Sequence, residues 1–413
     1  MNKTRLPGDA GRVAAGDVMK ELQNILNAFG KVRIQEKSAV LATVVKTLGS
    51  TYRRCGARML ITEEGQMIGS VSGGCLERDV VRKARRVMQT REPILATYDS
   101  MSEDDILTGF GMGCNGIVEV LIEALPVGSR QGQMDFLDAC LHHKQGGVLA
   151  TVFAVEGRTK AEIGCRLMLR EGVPAQSDIK DSALEEAILS DAQQVLKSGD
   201  SEVKVYETEA GRAEVFLELI EPPHPLMIFG AGHDAVPLVR LAKEIGWHVT
   251  VVDGRPGYAT KARFPAADIL IAARPDDIKE RVPLDSRTAT VVMNHNYPDD
   301  LEVLRILLPS PVRYIGVLGP RRRTERLIGD LQGDDVTVRA EQLAHVYSPI
   351  GIDIGADTPE EIALAILAEI KAVIKGRACG MCRDRKGPLH AHSERKGRVT
   401  FAGSLAVELS CGV

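Results

Sequence analysis

Along the first third of the chain the spacing of apolar positions changes several times, and each change predicts an element. In VMKELQNILNAFGK, Val18, Leu22, Ile25, Leu26 and Phe29 recur as one helical face, and Gly30 stands where a helix would end. SAVLATVVKT is nearly all apolar and predicts a buried strand. MLIT and MIGS flank Glu63-Glu64-Gly65 and predict a hairpin between Arg58 and Ser70. Leu76 to Thr90 predicts a long charged helix, and IVEVLIEAL a strand that closes a first α+β domain, 18–126. The logic then repeats more weakly: residues 131–145 look helical, GGVLATVFAV looks like another strand, and EVFLELIEP closes the stretch as IVEVLIEAL closed its predecessor. This marks 127–221 as a middle α+β segment, a second half of the N-terminal region, while the polar residues 1–17 predict a disordered leader.

Pro222, Pro223 and Pro225 form a stiff boundary, beyond which strands alternate with helices. LMIF, HVTVVD, DILIA, ATVVMN, RYIGVL and HVYS supply six candidate strands. That alternation predicts a Rossmann-like, doubly wound parallel sheet over 222–374, so the expected class is α/β with an N-terminal α+β domain. Thr358, Pro359 and Glu361 form a capping box ahead of its last helix. The tail, 375–413, is basic and carries Cys and His.

Composition narrows the function. A net charge of -4 offers no footprint for nucleic acid or an anionic membrane, and no apolar stretch approaches a membrane span. Eight cysteines without the dense spacing of a secreted scaffold point to reduced thiols and the cytoplasm. Forty glycines, clustered in loops, suit close backbone approach to a ligand.

Those loops carry the candidate chemistry. In FGAGHDA, Gly230, Gly232 and Ala235 follow a strand and open a helix, the setting in which backbone amides receive a phosphate, and Asp253 ends the next strand where a carboxylate would accept a ribose hydroxyl. His233 and Asp234 in the same loop suggest the rival reading, a Rossmann scaffold whose pocket no longer takes a dinucleotide. Two more loops fall at strand ends: Asn294-His295-Asn296, in which a lone histidine is more often structural, and GVLGPRRR, whose Arg321 and Arg322 suit phosphate or a pterin edge, or else simply a solvated helix start. In the first domain Gly73 and Gly74 precede Cys75 at a helix start, where exposed amides favour a thiolate, and Cys114 sits in a second glycine-rich loop, GFGMGCNG. Both are candidate sulfur carriers or soft metal ligands; each alone is as consistent with a small core residue. Cys379 and Cys382, ahead of His390 and His392, have a spacing that could hold zinc.

GSTYRRCGARMLI, GSVSGGCLERDVV and GCNGIVEVLIE resemble the N-terminal domain of the XdhC/CoxI family; FGAGHDAVPLVRLAKEIGWHVTVVDGRP, YIGVLGPRRRTERL and YSPIGIDIGADTPEEIALAILAEI resemble its Rossmann domain. The resemblance implies an accessory chaperone, not an enzyme in its own right. Such a chaperone binds molybdenum cofactor (molybdopterin), with a nucleotide as a further candidate ligand, works with a cysteine desulfurase to place sulfur on it, and serves a xanthine dehydrogenase-type molybdenum hydroxylase apoenzyme. By position, Cys75 matches the cysteine of the family's SGGC, Cys114 that of its GCGG, and Gly230 to Asp234 its GAGHD. Asn115 in place of a glycine, the Arg53-Arg54-Cys55 loop and the tail cysteines depart from the family pattern. Fold-level analogy adds a homodimer. The competing expectation is an NAD(P)-dependent oxidoreductase; no acid-base constellation accompanies the glycine loop, and no G-x-x-x-x-G-K-[ST] sequence supports a P-loop ATPase. The maturation reading expects the thiol near residue 75 and the amides near residue 230 to face a shared cavity.

Overall fold

The computed structural model describes residues 16–49, 51–99, 116–126, 132–142, 145–208, 211–274, 277, 284–333, 338–384 and 398–400. They form two compact units: one holds Glu21–Pro222 with the strand at 398–400, the other residues 16–20 and 223–384.

Helix α1 (Gly16–Ile34) opens the described chain and runs through Gly30 instead of stopping there. Its apolar face continues at Val32, which is buried, so packing outweighs the roughly 1 kcal/mol that glycine costs a helix interior. The first unit then contains two α+β halves. In the first, β1 (Ala39–Gly49), β2 (Arg58–Thr62), β3 (Met67–Gly69), helix α2 (Glu77–Thr90), β4 (Ile94–Asp99) and β5 (Gly116–Leu125) build an antiparallel sheet of order β3-β2-β1-β5-β4. After α3 (Gln133–His142), the second half has β6 (Gly147–Gly157), β7 (Arg166–Arg170), β8 (Val173–Ser177), α4 (Ser182–Ser198), β9 (Glu202–Thr208) and β10 (Gly211–Ile220), joined at its edge by the strand at Arg398–Thr400. Leaving that edge strand aside, the order β8-β7-β6-β10-β9 repeats the first sheet strand for strand.

Each sheet covers one face with its own helix. Val40, Ala42 and Val44 pack with Val80, Ala84 and Val87 of α2, while Val148, Ala150 and Val152 pack with the α4 side chains Leu184, Ile188 and Ala192. A smaller core of Val45, Leu121, Phe153 and Phe216 joins the halves. Burial on both faces explains why β1 and β6 read as apolar runs without alternation.

The second unit contains β11 (Pro225–Phe229), α5 (Ala235–Glu244), β12 (His248–Val252), β13 (Ile269–Ile271), β14 (Ala289–Val292), α6 (Tyr297–Leu307), β15 (Tyr314–Val317), α7 (Arg321–Gly333), α8 (Ala340–Leu343), β16 (Val346–Tyr347) and α9 (Pro359–Ile374). All six strands are parallel, in the order β13-β12-β11-β14-β15-β16. Helices α5 and α9 pack with one cluster of the sheet's side chains, α6 and α7 with another, which is the expected doubly wound architecture. The capping box forms as predicted: Glu361 N donates to Thr358 Oγ1 at 3.4 Å, and Thr358 N donates to the Glu361 carboxylate at 3.0 Å. Chain order reverses between β11 and β14, so ligands of such a sheet bind at the carboxyl ends of these two strands. Among the described residues no helix is long and apolar enough to cross a membrane.

Candidate functional site

In the first unit the chain leaves β3 through Ser70-Val71-Ser72-Gly73-Gly74-Cys75-Leu76 and enters α2 at Glu77. Glu77 folds back onto this loop: its Oε1 accepts from Ser72 N at 2.9 Å and Ser70 Oγ at 3.0 Å, and its Oε2 accepts from Ser72 Oγ. Burial would raise the Glu77 carboxyl, but the Ser72 hydroxyl and amide, with Ser70, outweigh it and hold the group below its usual range. Ser72 Oγ in turn accepts from Gly74 N at 3.2 Å and Leu76 N at 3.0 Å. Gly74 has φ +108°, a backbone that favours glycine. The ring of Tyr52, 71% exposed, lies over Gly73, 3.5 Å from the position a Cβ there would take.

This loop holds Cys75 exposed, just ahead of a helix whose N-cap, Leu76, offers no side-chain acceptor. The other cysteines of the unit's described part differ. Burial pushes the Cys55 thiol up to about 11 and the Cys140 thiol up to about 12, and raises that of Cys165. Cys114 falls outside the described residues.

In the second unit the loops after β11 and β14 meet at the switch point. Gly230 has φ +110°, and a Cβ on it would stand 2.4 Å from the Met293 carbonyl oxygen, so only glycine allows the approach. Gly232 faces its own neighbour: a Cβ there would meet Asp234 Oδ1 at 2.5 Å. Asp234 accepts from Ala235 N at 3.1 Å, and its Oδ2 lies 2.7 Å from His295 Nε2. The loop expected to cradle phosphate thus holds a carboxylate of the chain, with His233 exposed beside it.

Asp253, expected to grip a ribose, has both oxygens engaged within the chain. Its Oδ2 accepts from Ala231 N at 2.7 Å and Arg255 Nη2 at 2.6 Å, its Oδ1 from Arg255 N at 2.8 Å and Nε at 3.0 Å. Burial opposes ionisation, yet Arg255 and the Ala231 amide hold this carboxyl below its usual range. Next along the sheet, buried Asp300 pairs with Arg323 at 2.6 Å and accepts from Asn294 Nδ2 at 2.9 Å. Arg321 and Arg322 are exposed in the first turn of α7, which contains no acidic residue. Cations there oppose the helix dipole, an arrangement that an anion would relieve.

Comparison with known proteins places this architecture. A Bacillus subtilis (strain 168) protein described as a probable subunit of xanthine dehydrogenase is 36% identical over 335 residues, which span 81% of this chain and 93% of that protein. The XdhC Rossmann domain matches residues 226–370, and the XdhC and CoxI family matches residues 33–99 and 140–207. This chain belongs to the XdhC and CoxI family.

A crystal structure described as a xanthine dehydrogenase from Bacillus halodurans has the fold of this XdhC/CoxI chain with a TM-score of 0.69 and 31% identity, covering 86% of this chain and 96% of that one. The molybdenum cofactor insertion chaperone PaoD of Escherichia coli (strain K12) is 24% identical over 353 residues, 85% of this chain and 88% of its own length. The two N-terminal matches coincide with the two halves of the first unit, and only the first contains a Ser-Gly-Gly-Cys loop.

Within the XdhC/CoxI chain, Cys379 and Cys382 are both exposed after α9, and His390 and His392 lie outside the described residues. Among the described residues no group of three or more His, Cys, Asp or Glu could hold a metal. Three features had less weight in the sequence than they have in space. His295 read as a lone structural histidine, and only its 2.7 Å contact with Asp234, sixty-one positions away, makes it part of the switch point. Arg323 carried no role in the sequence beside Arg321 and Arg322, whereas it turns inward to Asp300. Tyr52 gave no signal beyond being an aromatic in a polar loop.

Proposed function

We propose that this chain is a maturation factor that holds molybdenum cofactor, promotes its sulfuration, and hands it to a xanthine dehydrogenase-type molybdenum hydroxylase apoenzyme. One observation carries the reading: Cys75 is an exposed thiol on a glycine loop at an uncapped helix start, while Cys55, Cys140 and Cys165 are withdrawn into packing. A soft thiolate suits molybdenum or sulfur and would be a poor ligand for hard divalent cations. The guanidinium forks of Arg321 and Arg322, at an amide-rich helix start, suit a phosphate ester. Taken unit by unit, these donors each suit one part of the cofactor, which when bound would supply a thiophilic metal and a phosphorylated pterin.

In this reading Cys75 carries sulfur that a cysteine desulfurase supplies, and Gly73 and Gly74 keep side-chain bulk away from it. Cys114 is assigned the second thiol role, Cys379 and Cys382 a zinc site, and the assembly a homodimer in the cytoplasm. The name of the relative PaoD supports a role in cofactor insertion, and that of the Bacillus subtilis relative a link to xanthine dehydrogenase. The rival, an NAD(P)-dependent oxidoreductase, is disfavoured by the engagement of Asp253 with Ala231 and Arg255.

The test mixes purified full-length protein with free molybdopterin, removes unbound ligand on a desalting column, and measures retained pterin fluorescence and molybdenum. Native protein should retain the cofactor, and Cys75→Ala should lose most of the metal while its circular dichroism spectrum stays unchanged. A native protein that emerges with no pterin rejects the proposal.

A further inference from the structure

A dinucleotide-binding loop keeps its amides free for a pyrophosphate. In the second unit the chain engages part of that loop itself. Asp234 Oδ1 stands where any side chain on Gly232 would collide with it, and accepts from Ala235 N at the start of α5 at 3.1 Å. Asp253, the second grip that a dinucleotide needs, is spent on Ala231 and Arg255.

The residue that remains presented is His295. Its side chain is 59% exposed, and its backbone is left-handed at φ +57°, a region in which histidine is enriched among non-glycine residues. One edge of the ring contacts Asp234 at 2.7 Å. Against an ionised carboxylate a neutral imidazole donates from Nε2, the tautomer that leaves Nδ1 as an acceptor.

We infer that Asp234 and His295 are the specificity element of the second unit: they close the glycine loop to nicotinamide dinucleotides and present Nδ1 of His295 to an N–H donor on a pterin-type heterocycle. The inference rests on the maturation-factor reading and adds which part of the ligand the crevice takes, namely a polar ring edge, with phosphate left to Arg321 and Arg322.

Titration of full-length protein with NADH and, separately, with neopterin tests it. Native protein should show no saturable NADH binding up to ~1 mM, a range that excludes a specific site. Asp234→Ala combined with Arg255→Ala, which frees the loop and loosens the hold on Asp253, should acquire such binding. Neopterin should bind native protein, and His295→Ala should weaken it about tenfold, the scale of one lost hydrogen bond. His295→Asn, whose residue tolerates the left-handed backbone and keeps an acceptor, should recover part of that loss. Saturable NADH binding by native protein, its absence in the Asp234→Ala/Arg255→Ala double variant, or equal neopterin affinity in native protein and His295→Ala each overturns the inference. Its failure is separable from that of the function: protein that still retains molybdopterin while His295→Ala binds neopterin normally counts against this inference alone, and native protein that retains no molybdopterin counts against the function.

Discussion

Residues 39–125 and 147–220 repeat one strand order, one covering helix and the same bond pattern at the first bend. Val44 and Val152 each accept from a glycine N at 2.8 Å, Gly56 and Gly164, and donate to the residue after it, Ala57 and Cys165, at 2.9 Å. The connections differ. Seven residues, 70–76, lead from β3 to α2, against four, 178–181, from β8 to α4. Sixteen, 100–115, separate β4 from β5, against two, 209–210, between β9 and β10. The longer loops contain Cys75 and Cys114; the shorter one caps its helix with Asp181, which accepts from Leu184 N at 3.2 Å. The framework is shared, and the candidate thiols Cys75 and Cys114 lie in the two connections that are longer in one copy.

The halves are tied by a reciprocal exchange, the signature of an isologous interface within one chain. Arg58 of the first half pairs with Glu218 of the second and donates to the Gly56 carbonyl; Arg166 of the second pairs with Glu123 of the first and donates to the Gly164 carbonyl. Both pairs are nearly sealed from solvent, so removing one carboxylate strands a buried guanidinium. Glu218→Ala and Glu123→Ala should each cost about 3–5 kcal/mol in urea unfolding of the full chain. Near-equal losses would make the repeat energetic as well as topological. A variant that loses less than about 1 kcal/mol would break the comparison, since it would show one pair to be dispensable.

A second matched pair is smaller. Tyr98 donates to Asp79 of α2 at 2.8 Å, and Tyr206 donates to Asp191 of α4 at 2.7 Å. Tyr98→Phe and Tyr206→Phe should each cost about 1–3 kcal/mol, the penalty for a buried acceptor short of a donor. For the first pair the pH dependence follows as well. Burial alone would raise the Asp79 carboxyl, but Lys83 and Tyr98 outweigh it and hold the group below its ordinary value near 3.8. A depressed folded value stabilises fully above the unfolded value and is lost as pH falls through the folded one. Removing the Tyr98 hydroxyl should therefore move acid unfolding to higher pH; a midpoint that stays or moves down contradicts the assignment.

The scaffold was legible because strands buried on both faces announce themselves as VLATV runs, and because the Rossmann strands end in glycine or polar loops. Even the repeat showed, through EVFLELIEP against IVEVLIEAL. What stayed hidden depends on distance along the chain. Glu123 and Glu218 looked like polar positions in a strand, since their arginines come from the opposite half, and His295 looked solitary because Asp234 lies on another loop. The glycine loop was legible in its backbone and not in its contacts: G-x-G-x-x-A reports geometry, whereas the bonds of the side chain at 234 to Ala235 and His295 show only in space.

The smallest stability effect bears most directly on what the longer loop is for. Cys75 is exposed, so Cys75→Ala should change unfolding free energy by no more than about 0.5 kcal/mol. Its reactivity should be opposite in rank. Brief iodoacetamide treatment of folded protein near neutral pH, read by peptide mass spectrometry, should label Cys75, because alkylation requires an accessible thiolate. Cys165, which takes the place of Ala57 in the second half, and Cys55 and Cys140 have thiols raised by burial and should be labelled only after unfolding. Labelling of Cys165 as fast as Cys75 would mean that the two copies expose sulfur equally, and the functional weight placed on the longer loop would have no chemical basis.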